Sequence, residues 1–78
     1  MSIQSQDRAL EMMDLLEKFK QDIWPWMCEN NLSVFDALAI TQENFPERFA
    51  ILNKLWSNYA GRNYIYDFVR MNGGRISW

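Results

Sequence analysis

The chain of 78 residues contains no histidine and one cysteine, Cys28. The missing imidazole removes the commonest general base and the commonest metal ligand. One thiol can neither close an internal disulfide nor build a thiolate cluster. The only glycines are Gly61, Gly73 and Gly74, so no glycine-rich loop can cradle a phosphate. No apolar run reaches the roughly 18 to 20 residues of a membrane span. The segment Met-Ser-Ile-Gln-Ser-Gln-Asp-Arg has no basic region leading into an apolar stretch, as a secretory leader would. These absences lead to the expectation of a soluble, cytoplasmic protein with no cofactor, no bound metal and no membrane segment.

The same absences argue against an enzyme. Cys28 lies between Met27 and Glu29 with no adjacent Lys or Arg to activate it as a nucleophile, and it reads as a buried structural thiol. Glu11, Asp14 and Asp22 share a helical face, but Lys18 sits among them, which describes a solvated helix surface. The serines fall at helix caps or chain termini.

What the chain has in quantity is aromatic area: four Trp, three Tyr and five Phe, within a 49% hydrophobic composition. That content can build a core in a chain near the small end for one domain. The net charge of −2 conceals a division. Residues 1–47 carry nine acids and three bases, a balance of −6, whereas residues 48–78 carry five bases and Asp67 alone, a balance of +4. The two halves are expected to fold against each other and partly neutralise; the alternative is two surfaces of opposite sign for different partners.

Hydrophobic periodicity is helical throughout. Ala9, Met12, Met13, Leu16, Phe19, Ile23 and Trp26/Met27 recur at three- and four-residue spacing, the pattern of one apolar helix face. Pro25 removes an N–H and crowds the carbonyl of Gln21, so this helix must kink or restart near Trp24. Asn30-Asn31 can take the left-handed conformation that ends a helix. Ser33 then reads as an N-cap with Asp36 three residues on, flanked by Leu32 and Ala37 at the staple positions. The segment 34–41 is short and almost wholly apolar, and it is expected to be the most buried element. Asn44 is expected to cap a helix with Pro46 in its first turn and Glu47 at the third position. Phe45, Phe49, Leu52, Trp56 and Tyr59 form its stripe. Gly61 either ends that helix or lies inside a longer one, and Asn72-Gly73-Gly74 is a stop.

The expectation is an all-α fold: a compact single-domain bundle of three to five helices at about 6–23, 25–30, 34–41, 45–60 and 63–72, with a short tail at 73–78. Phe19, Phe35, Phe45, Phe49, Trp56 and Phe68 fall on core stripes. Tyr64 has no evident place, and the aromatics then left, Trp24 or Trp26, Tyr59, Tyr66 and Trp78, are the candidates for function. Trp24 and Trp26 flank Pro25, and residues two apart on a helix point about 200° from each other, so both cannot face one core. An exposed Trp beside a rigid proline can anchor a partner; alternatively, the kink wraps the chain around the core and buries both. Tyr59, Arg62, Tyr66 and Arg70 line one face of the last helix, with Ile65, Phe68 and Val69 opposite. Arg and Tyr are both enriched where interfaces concentrate their energy. Trp78 either docks back on the bundle or meets a partner.

The expected function is a non-enzymatic protein–protein interaction module, a small inhibitor or adaptor that binds and blocks a macromolecular partner. Phages and mobile elements commonly use proteins of this size to disable host enzymes or defences. One alternative is nucleic-acid binding, by the basic-aromatic half or by residues 33–56 read as a helix-turn-helix. That turn, Thr41-Gln42-Glu43-Asn44, lacks the usual glycine, and Glu47 would oppose phosphate. The other alternative is a structural homo-oligomer, in which the acidic half of one copy pairs with the basic half of another.

Overall fold

The computed structural model describes the backbone of residues 2–77 and the side chains of residues 10–77. It is all-α, with no strand among the described residues. Helix α1 (Ser2–Lys18) continues through a π-helical turn (Phe19–Ile23) into α2 (Trp24–Glu29). Then follow α3 (Val34–Asn44), α4 (Pro46–Ser57) and α5 (Tyr59–Met71). Counting α1 to α2 as one kinked helix, four helices pack together, and no described helix is long and apolar enough to cross a membrane.

Pro25 shapes the first helix as its chemistry requires. Just before the proline, the Trp24 N–H donates to the Phe19 carbonyl, five residues back instead of four. The wider turn gives the pyrrolidine ring room that an α-turn would deny it, and α2 restarts with proline in its first turn. The π turn also serves the core. Phe19, Ile23 and Met27 are all fully buried at a strict four-residue spacing. On an ideal α-helix that spacing drifts about 40° per step, and the wider turn absorbs part of the drift. Upstream of it, Leu10 and Met13 face solvent while Met12, Leu15 and Leu16 pack on the core. Met13 therefore leaves the expected stripe and Leu15 joins it.

Helix α4 is central, touching α1, the π turn, α3 and α5. Its Leu52 and Leu55 are fully buried with Val34, Ala37, Ile65 and Val69. Helix α3 is not the most buried element: Val34, Ala37 and Thr41 face inward, but Phe35 and Ala39 face out. Its inner stripe uses small residues so that α4 can approach closely. The Thr41 hydroxyl is satisfied within the helix, donating to the Ala37 carbonyl at 2.6 Å.

The turns explain the boundaries. Asn31 adopts φ 55° and ends α2. Ser33 is a full capping box: its Oγ accepts from the Asp36 N–H at 3.1 Å, and its own N–H donates to Asp36 Oδ2 at 3.2 Å. Because Ser33 is fully buried, Ser33→Ala should cost about 1 to 2 kcal/mol. The expected readout is a lower urea midpoint at unchanged slope, and an unmoved midpoint would contradict the cap's role. Asn44 does not cap α4. It is the last residue of α3, and Phe45 alone joins the two helices, with Pro46 at the first position of α4. The presumed turn at Thr41-Asn44 is helical, so the segment has no helix-turn-helix turn there.

Helix α4 ends at Ser57, three residues earlier than expected, and Gly61 lies inside α5. Asn58 makes the break, its Oδ1 accepting from the N–H groups of Ala60 (2.9 Å) and Gly61 (3.3 Å). Gly61 is buried against α4, and a Cβ built there would lie 2.5 Å from the Leu55 carbonyl oxygen. Only a hydrogen side chain allows α5 to fold back so tightly.

The charge division is partly resolved within the fold. Glu11 in the acidic half pairs with Lys54 in the basic half, and Asp14 pairs with Lys18 one turn on. Both pairs are exposed and contribute little. The arginines behave differently.

Candidate interaction surface

The Asn58 cap fixes the direction of α5 and therefore which face meets solvent. Ile65 and Val69 are buried and Phe68 is half-buried, as the spacing predicts. The opposite face carries Tyr59 (81% exposed), Arg62, Tyr66 (41%) and Arg70. Arg62 ties this face to α4, and Arg70 rests on a ring of its own helix. Arg62 Nε donates to the Trp56 carbonyl at 2.9 Å, and its guanidinium lies 5.7 Å from the Trp56 ring centre. The Arg70 guanidinium lies 5.7 Å from the Tyr66 ring, one turn away. On its other side, Trp56 meets Phe35 edge-on, with ring centres 5.5 Å apart at 81°.

Two contact groups result, Phe35–Trp56–Arg62 across α3, α4 and α5 and Tyr66–Arg70 on α5; helical spacing sets Tyr66 one turn beyond Arg62, and together they form the strip Phe35–Trp56–Arg62–Tyr66–Arg70. Phe35 is 47% exposed, so it belongs to this surface and not to the core stripe. Its position follows from α3: Val34, Ala37 and Thr41 occupy the inner face, and Phe35 sits about 100° around from Val34. Trp56 is half-buried and bridges core and surface. Sequence reasoning missed both, because a stripe at helical spacing does not show which members a neighbouring helix covers.

The two tryptophans around Pro25 both pack against the core, so neither is the fully exposed anchor their angular spacing suggests, although their rings meet different partners. Trp24 packs edge-on against Phe68 of α5 at 5.4 Å. Phe68 also takes the Phe19 ring edge-on and stacks with Tyr64, a residue without an evident place in the sequence. The Lys20 ammonium sits 5.1 Å over the Tyr64 ring. Hydrogen bonding to Tyr64 raises its pKa against the opposing effect of desolvation, with the charges of Tyr64 and Glu17 adding to the rise. Trp26 points elsewhere and forms a second patch. Its ring meets Phe45 edge-on at 5.6 Å, and the Arg48 guanidinium lies within 5.4 Å of both ring centres. Phe45 is exposed and also leaves the expected core stripe. Both tryptophans are half-buried, and they do not share one surface. Trp78 lies outside the described residues.

Cys28 is exposed, correcting its reading as a buried thiol. It borders a cleft of about 200 Å³ between α2 and the chain after α5, lined also by Trp24, Asn31, Leu32 and Arg75. Burial of Met27 turns the next side chain outward. Among the described residues, no three Cys, Asp or Glu side chains group as a metal site would need.

Chemically, the strip offers guanidinium groups already oriented by rings and, at Arg62, by a carbonyl. With Nε engaged, Arg62 keeps its terminal nitrogens for an acceptor, and these can grip a carboxylate in a fork. The surrounding rings supply apolar area. No family model matches this chain, and neither a curated protein nor a solved structure matches it significantly.

Proposed function

We propose that this protein is a non-enzymatic protein–protein interaction module, an inhibitor or adaptor, and that it grips its partner with the strip Phe35–Trp56–Arg62–Tyr66–Arg70 together with Tyr59. The observation that carries this reading is the chain of contacts from Phe35 through Trp56 to Arg62 across three helices, with the Tyr66–Arg70 pair one turn further along α5. Trp, Tyr and Arg are the residues in which interfaces concentrate binding energy. Ordering Arg62 before the partner arrives lowers the entropy lost on binding.

A protein partner fits this surface better than nucleic acid does. The chain is acidic, with pI about 4.9, and Asp67 is exposed on the same helix as Arg62 and Arg70. Such a field opposes a polyanion at long range but leaves a local carboxylate contact intact. The test is capture from native lysate by wild-type chain and by an Arg62→Ala/Tyr66→Ala variant, followed by titration of the captured protein. Losing two central contacts should weaken binding about 100-fold or more. Equal capture by the variant would remove this face from the reading. Retention on heparin with a steep salt dependence would favour nucleic acid instead.

A further inference from the structure

Past α5 the chain crosses back over the bundle and ties down the start of α3. Asn72 ends the helix, Gly73 turns the chain at φ +77°, and the Gly74 N–H donates to the Val69 carbonyl at 2.8 Å. Gly74 then passes between two side chains: a Cβ there would lie 2.8 Å from Trp24 Cη2 and 2.7 Å from Val69 Cγ1. Beyond it, Arg75 Nη2 donates to the Asn31 carbonyl at 2.7 Å, and Ile76 packs against the core.

The carbonyls of this segment complete a helix. The Val34 N–H donates to the Arg75 carbonyl at 3.0 Å and the Phe35 N–H to the Ile76 carbonyl at 3.1 Å. The first amides of a helix have no partner inside it. In α3 the third is met by Ser33 Oγ, and the first two are met by residues about forty positions later in the chain. Phe35 is thus held at its backbone by Ile76, while its ring meets Trp56, which carries Arg62. Segment and strip meet at Phe35.

We propose that residues 73–77 are a latch for the interaction surface: docked, they fix Phe35 and through it the Trp56–Arg62 pair in the binding form, and undocked, they leave that end of the strip unset. The assignment of a partner-binding role to the latch rests on the reading of the strip given above. Two sites that bias one two-state element affect each other reciprocally, so a partner that grips the docked form also holds the latch closed.

The experiment uses the chain alone, by NMR, with two variants: deletion of residues 75–78, and full-length Gly74→Val, whose branched side chain cannot pass between Trp24 and Val69. The expected result is exchange of the Val34 and Phe35 amides faster by about tenfold or more. The Trp56 indole and Arg62 Nε–H resonances should move with it, while the amides of Leu55 and Ile65 keep their wild-type positions. Faster exchange with Trp56 and Arg62 unmoved would overturn the proposal, because the segment would then only cap a helix. Unchanged exchange would overturn it as well. If the deletion disturbs Leu55 and Ile65, the Gly74→Val spectrum decides. Failure of the strip itself would show separately, as unaltered capture by Arg62→Ala/Tyr66→Ala.

Discussion

Replacing Gly61 by alanine is expected to destabilise the protein by about 3 kcal/mol, the scale of forcing extra volume into a closed packing site. Helix propensity alone predicts the opposite sign, since alanine exceeds glycine by about 1 kcal/mol inside a helix. Geometry reverses it. The new methyl carbon would lie 2.5 Å from the Leu55 carbonyl oxygen and 3.1 Å from its carbon. Those atoms are backbone in the last turn of α4, so no rotamer change can relieve the contact. Helix α5 must tilt away, taking Ile65 and Val69 partly out of the core. At about 4 to 8 °C per kcal/mol for a domain of this size, the melting temperature should fall by about 12 to 24 °C. Calorimetry or a circular-dichroism melt decides the matter. An alanine variant as stable as the parent would mean that the two helices do not approach this closely.

Phe19→Ala should be costlier still, about 3 to 5 kcal/mol. The ring is fully buried in the π turn and meets Phe68 edge-on at 5.9 Å. Around Phe68 gather Trp24 and Tyr64, so its loss leaves a cavity bordered by rings too large to collapse into it. Total stability for 78 residues is about 4 to 12 kcal/mol, so this one substitution removes a large fraction. Urea denaturation of Phe19→Ala beside Phe19→Leu is the test, with leucine retaining more than half of the lost stability. A cost below about 1 kcal/mol for alanine would place the centre of the core elsewhere.

Helical spacing already places Phe19 in the core, but Gly61 does not carry its importance in the sequence alone. Gly61 reads there as a break or a weak point, because one-dimensional propensity sees only its backbone freedom. Its actual constraint comes from Leu55, six positions earlier, after the chain has reversed at Asn58. Signals that act within one turn were more legible. The Ser33–Asp36 box, the Asn31 termination, the restart at Pro25 and the stop at residues 72–74 are each set by contacts a few residues apart. The Asn44 cap failed because Thr41 could bury its hydroxyl on the Ala37 carbonyl and let α3 run on to Phe45.

The candidate surface divides the same way. Tyr59, Arg62, Tyr66 and Arg70 share a face because they share a helix, so spacing found them. Phe35 and Trp56 join them only by docking of α3 and α4 beside α5, and Phe45 and Arg48 join Trp26 by the same kind of packing. Both Phe35 and Phe45 sit on stripes that look like core until the neighbouring helix covers a narrower arc than the stripe spans.

By itself, the sequence determined that this protein is helical, where α2 and α5 stop, where α3 is capped, and which face of α5 is polar, because those properties follow from local periodicity and short hydrogen bonds. Tertiary structure alone decided which aromatic rings are left uncovered, how arginines of the basic half come to rest on them, and that residues 75 and 76 complete the start of α3. Each of these depends on atoms far apart in the chain meeting within a few ångströms, and no spacing rule encodes that distance.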